Sequence, residues 1–146
     1  MSEVLVLVEY SAAGLRKVTG ELLTAAARIG SPSAVVVGAP GTASRLRAEL
    51  AAAGAAKVYV AESDAAASLV TVPAVVALAA AVAVASPAAV LVASTVDGRE
   101  VAGRLAVRLN SGLIADAIDV TVDGGDVVAT QSIFGGAYTV RSKVSQ

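Results

Sequence analysis

Ser94, Thr95, Asp97 and Arg99 follow the apolar run AAVLVAS (88–94) and lead into a helical pattern, STVDGREVAGRLAVRL over 94–109. Short hydroxyl and carboxylate side chains at this spacing cap a helix beginning near Gly98 or Arg99, because they accept its free amide protons. The same amides, with Arg99 beside them, can instead receive a phosphate or carboxylate. Contact with another domain or subunit is a third use. Capping requires least, since no glycine-rich phosphate loop accompanies the segment. Glu9 and Tyr10 end another apolar run, VLVLVEY (4–10), and a parallel sheet would bring them to the same edge as this junction.

Other polar groups carry weaker chemistry. Glu100, Arg104 and Arg108 are spaced by four and share a helix face. Glu100 pairs with Arg104 there, and the two arginines repel unless an anion or a partner carboxylate meets them. A solvated face is the simplest reading. GAPGTASRL (38–46) places two glycines between a strand and a helix, yet it has neither the G-x-G-x-x-G nor the G-x-x-x-x-G-K-[ST] pattern, and it reads as a helix start. Asp116 and Asp119 are expected on opposite faces of a strand, so they do not form an acid/base pair. The chain has no histidine and no cysteine. That excludes thiol and imidazole chemistry and ordinary zinc or haem ligation within it. Metal binding would need carboxylates alone, and redox chemistry would need a cofactor.

The elements that would position these groups follow from hydrophobic pattern. Four continuous apolar runs, at 4–10, 33–39, 56–62 and 88–94, read as buried parallel strands, and the segments between them are long enough for crossover helices. Val18, Leu22, Ala25, Ala26 and Ile29 mark the first helix, which ends at Gly30-Ser31-Pro32. The second spans about Thr42 to Ala53, with Leu46 and Leu50 on one face and Gly54 closing it. Over Asp64 to Ala85 alanine and valine occupy nearly every face, with a helix starting near Pro73; such a helix should be covered on more than one side or meet a partner. After Leu109 the pattern changes to antiparallel strands, with turns at Asp123-Gly124-Gly125-Asp126 and Gly135-Gly136. Phe134, the only phenylalanine, reads as core, and Arg141 as facing another domain or solvent. Residues 138–144 read as a strand in progress when the chain stops at Gln146, the pattern of a fragment.

A chain of 146 residues with 56% apolar and 16% charged side chains fits one domain with a thinly charged surface, which leaves room for a docking face. The net charge of -1 is spread along the chain without a basic block, so nucleic acid is not expected as a partner. The run from Leu69 to Val84 is shorter than the roughly 20 residues that span a bilayer. The amino terminus lacks the basic head and long apolar core of a signal peptide.

These pieces together resemble the amino-terminal domain of the electron transfer flavoprotein alpha subunit. The resemblance rests on VLVLVEY with Glu9, on AAVLVASTVDGREVAGRLAVRLNSGLIADAIDV, and on VVATQSIFGGAYTVRSKV. Within them Gly98, Arg99, Arg104, Leu105, Ala106, Arg108, Leu109, Ile114, Asp116, Gly135 and Gly136 fall at the family's positions. The resemblance implies an α/β fold, a mostly parallel sheet flanked by helices (adenine nucleotide alpha hydrolase-like) with an antiparallel carboxyl-terminal extension. It implies that residues 1–146 form the amino-terminal domain and that a carboxyl-terminal FAD-binding domain is absent from this chain. FAD would then be held mainly by that missing domain and not tightly by this chain alone, with Glu9, Ser94, Thr95 and Arg99 as candidates for a direct cofactor contact. The implied role is that of a redox carrier without a substrate-turnover site of its own. Its partners are a beta subunit, acyl-CoA and related dehydrogenases of fatty acid beta-oxidation and a membrane quinone reductase, in the bacterial cytoplasm or the mitochondrial matrix. Two other readings stand beside it. A nucleotide-binding regulatory or transferase-like α/β domain would place adenylate near Glu9 and Ser94, and a structural assembly domain would use the alanine-valine helix.

Overall fold

In a parallel sheet covered on both faces, successive side chains of a strand enter opposite cores, so the strand is apolar throughout. Strand β1 (Glu3–Leu7) behaves in this way in the computed structural model, which describes residues 1–145. Val4, Val6 and Val8 enter one core with Leu23, Ala26, Leu46 and Leu50. Leu5 and Leu7 enter the other with Val75, Leu78, Val101 and Leu105. Val4, Leu5 and Val6 have no exposed surface. At about 1.5–3 kcal/mol for each large apolar side chain buried, this strand anchors both layers.

The chain continues through a small hairpin, β2 (Tyr10–Ser11) and β3 (Gly14–Leu15), to α1 (Lys17–Ile29), β4 (Ser31–Gly38), α2 (Thr42–Ala52) and β5 (Lys57–Glu62). Next come α3 (Asp64–Ser68), α4 (Val72–Ala85), β6 (Ala89–Leu91) and α5 (Val96–Leu109). The parallel sheet has the order β5-β4-β1-β6. Helices α1 and α2 supply core residues to one face and α4 and α5 to the other. A separate antiparallel sheet, β7 (Ala117–Asp123), β8 (Asp126–Ile133) and β9 (Tyr138–Ser142), follows. Gly124 and Gly125, at φ 60 and 91, make its first turn as expected. Val120 and Ala129 join the α1-side core, and Arg28 of α1 holds Asp119 of β7 at 2.5 Å. The α/β architecture with an antiparallel extension is therefore as the sequence indicates. The abrupt end at Gln146 lies outside the described residues.

Three details differ from the sequence reading. Phe134 is 79% exposed rather than core. Phe134, Gly135 and Gly136 all have positive φ, and this turn aims the ring outward, where it meets Tyr138 edge-on at 5.8 Å. Strand β1 stops at Leu7, and Tyr10 belongs to the small hairpin. Asp116 precedes β7 at φ 52, so strand alternation does not separate it from Asp119. Helix α4 buries Ala74, Val75, Ala77, Leu78 and Ala81 and leaves Val72, Val76 and Val84 exposed, so of its two expected arrangements it is not covered on more than one side within this chain. Arg141, read as facing another domain or solvent, pairs with Asp123 at 2.8 Å on the exposed extension.

Candidate functional site

The α5 start is built from Thr95 and Gly98. Thr95 has extended backbone, and its hydroxyl accepts the Gly98 amide proton at 3.1 Å, as an N-cap does. The same hydroxyl donates to Oε1 of Glu9 at 2.6 Å. A Cβ at position 98 would overlap the carbonyl oxygen of Ala93, so only glycine lets α5 approach β6 this closely. Glu9 is pinned from its backbone: its amide donates to Thr19 Oγ1 at 2.8 Å, and its carbonyl accepts from Thr19 Oγ1 at 2.9 Å and from the Arg16 amide at 3.0 Å. The predicted meeting of Glu9 with the junction is thus present, through Thr95.

Ser94 and Arg99 form a second, more exposed group. Arg99 donates to Ser94 Oγ at 3.1 Å and to Asp116 Oδ1 at 2.9 Å, and Ser94 donates to the same aspartate oxygen at 2.9 Å. Arg99 and Asp116 are 63% and 64% exposed, so this pair contributes little to stability. It does occupy the cation that an incoming anion would use. Farther along α5, Arg104 holds Glu100 at 2.7 Å in the expected i,i+4 pair.

The start of α2 is closed differently. Glu62, the last residue of β5, accepts the Gly41 amide at 2.9 Å and the Ala43 amide at 2.6 Å. The Ala43 and then the Gly41 hydrogen bond hold its carboxyl below the usual carboxylate range, with burial opposing them. A phosphate at GAPGTASRL would have to displace this carboxylate. Gly38 is needed nearby, because a Cβ there would overlap the Tyr10 hydroxyl, which donates to the Val37 carbonyl at 2.8 Å.

Beside the α5 start lies a cleft of about 360 Å³, bordered by Glu9, Tyr10, Arg16, Leu69, Val70, Thr95, Val96 and Asp97. A shallower depression of about 540 Å³ lies against α1 and the end of α2, away from the strand ends. Among the described residues no group of three or more histidine, cysteine, aspartate or glutamate side chains is placed to hold a metal ion. No helix among them is long and apolar enough to cross a membrane.

Sequence reasoning missed Asp116 as the partner of Arg99, Glu62 as the plug of α2, and the hairpin that brings Tyr10 to Val37. Only Glu62 carried a signal, as a carboxylate ending a buried strand beside a predicted helix start.

The family model for the electron transfer flavoprotein domain matches residues 4–146. The chain belongs to that family. It is 54% identical over 145 residues to the electron transfer flavoprotein subunit alpha of Mycobacterium tuberculosis, covering 99% of this chain and 45% of that protein. The subunit alpha of Mycobacterium leprae is 50% identical over the same shares. That of Syntrophomonas wolfei is 39% identical over 140 residues, 96% of this chain and 44% of its own length. The chain thus spans less than half the length of these electron transfer flavoprotein relatives.

Proposed function

We propose that these residues are the amino-terminal scaffold and subunit-contact domain of an electron transfer flavoprotein alpha subunit. The observation that carries the proposal is the similarity to alpha subunits along nearly the whole chain, at 54% identity with the Mycobacterium tuberculosis protein. The assembled protein then pairs with a beta subunit, accepts electrons from acyl-CoA and related dehydrogenases and delivers them to a membrane quinone reductase. In a bacterium it works in the cytoplasm.

The residues on this chain do not fit the flavin itself. The pyrophosphate of FAD needs free amides and cations, whereas Thr95 holds the Gly98 amide, Glu62 holds two amides of α2, and Asp116 holds Arg99. Flavin binding is therefore assigned to a carboxyl-terminal domain, and no redox step is placed on Glu9, Ser94, Thr95 or Arg99. Their part is to fix the carboxyl edge of the sheet, and the exposed side of Ser94 to Arg108 faces the beta subunit or the second domain.

Co-purification of the full-length alpha subunit with its beta subunit tests this reading. A yellow heterodimer, reduced by an acyl-CoA dehydrogenase and its substrate, is the expected result. A full-length protein that binds neither beta subunit nor flavin overturns the proposal.

A further inference from the structure

Most acidic side chains of this chain have a clear electrostatic partner. Glu3, Glu21, Glu100, Asp116, Asp119, Asp123 and Asp126 pair with lysine or arginine. Glu49 and Glu62 accept backbone amides. Glu9, Asp64 and Asp97 are in neither group, and of these Glu9 and Asp97 come together. Both border the cleft at the carboxyl edge of the parallel sheet, and neither has an ion-pair partner among the described residues. Glu9 uses Oε1 for the Thr95 hydroxyl. Arg16 borders the same cleft, so two carboxylates face one cation there and the balance is negative.

The remaining wall is apolar. Leu69, Val70 and Val96 border the cleft and are 54%, 70% and 85% exposed, and Val72 continues this surface onto α4. Contiguous exposed side chains of this kind mark interaction surfaces. A small amine would neutralise the carboxylates but leave this rim in water. A phosphate would meet the wrong charge, and the Gly98 amide is already bonded to Thr95.

We propose that the cleft docks a protein segment presenting one arginine or lysine between apolar side chains. The cation reaches Glu9 and Asp97, its aliphatic stem lies along the cleft wall, and the apolar neighbours cover Leu69, Val70 and Val96. This rests on the subunit contact proposed above and assigns the cleft to the beta subunit, so that it is open in the full-length alpha subunit alone.

The test is methyl NMR on the full-length alpha subunit with labelled leucine and valine. It is titrated separately with the peptide acetyl-Leu-Arg-Val-amide, with acetyl-Leu-Glu-Val-amide, and with adenosine monophosphate. The arginine peptide is expected to shift the Val70 and Val96 methyls and to bind about tenfold more tightly than the glutamate peptide, from charge complementarity. Glu9→Gln with Asp97→Asn should remove that difference while leaving the core methyl spectrum unchanged, and Val70→Asp should weaken the arginine peptide. Equal affinity for both peptides, no shift with either, or nucleotide binding in the cleft overturns the inference. No flavin or subunit enters the readout, so its failure is distinct from failure of the electron-carrier reading.

Discussion

Two glutamates flank the same strand and meet opposite surroundings. At the start of β1, Glu3 accepts from Ser33 Oγ at 2.7 Å and Tyr59 Oη at 3.0 Å and is ion-paired with Lys57. Just beyond its end, Glu9 accepts the Thr95 hydroxyl and faces a cleft with no ion-pair partner among the described residues. The amino edge of the sheet is thus an electrostatically closed cluster. The carboxyl edge has firm geometry but an incomplete charge balance. Rigid support with unmatched charge is what a docking surface requires, whereas matched charge serves the fold alone.

The largest expected effect comes from breaking the carboxyl edge at its tightest point. Gly98→Ala forces a Cβ onto the Ala93 carbonyl and should cost about 3 kcal/mol in urea unfolding. Gly103→Ala on the same helix meets no neighbour within 4 Å and should be neutral or stabilising by up to about 1 kcal/mol. Equal effects would show that α5 does not approach β6 closely. Thr95→Ala removes the cap and should cost about 1 kcal/mol, with Thr95→Ser recovering most of it by the same measurement.

The amino edge is sharpened by pH. Hydrogen bonding from Lys57 and then Ser33 holds the Glu3 carboxyl below its usual range, and Glu3 raises the Lys57 ammonium above its own. Glu3 therefore stabilises the fold at pH above the ordinary carboxylate value, and this contribution is lost as pH falls through the depressed folded value. The Lys57 contribution is complete below the ordinary lysine value and is lost as pH rises through its raised one. Glu3→Gln should reduce both limbs of a stability profile, leaving the acid dependence due to Glu62 and Asp119, which are also depressed, and the alkaline dependence due to Lys143, which is also raised. The smallest effect is expected from Arg99→Ala, which removes an exposed pair and should change stability by less than about 1 kcal/mol.

The sequence made the parallel sheet legible because its strands are buried on both faces and so are written as unbroken apolar runs. The α5 cap was legible as one of three residues, and the structure selects Thr95. Pairings between distant residues were not. Asp116 reaches Arg99 and Glu62 reaches the α2 amides only once the topology brings them together; the position of Glu62 at a strand end marks it as a candidate, but no local spacing names its partners. Phe134 failed for a related reason: hydrophobicity alone does not reveal that a positive-φ turn carries a ring outward. Family membership added what geometry alone does not contain, the expectation of a flavin elsewhere in the protein.

The most direct test of the account is native mass spectrometry of residues 1–146 after incubation with FAD and with adenosine monophosphate. Its central claim is that the Gly98 amide, the Gly41 and Ala43 amides and Arg99 are already held by side chains of this chain. The expected spectrum shows a bare species near 14.2 kDa, with flavin retained only by the full-length alpha subunit with its beta subunit. A 1–146 species that keeps either nucleotide would contradict the account and make the cleft a nucleotide site.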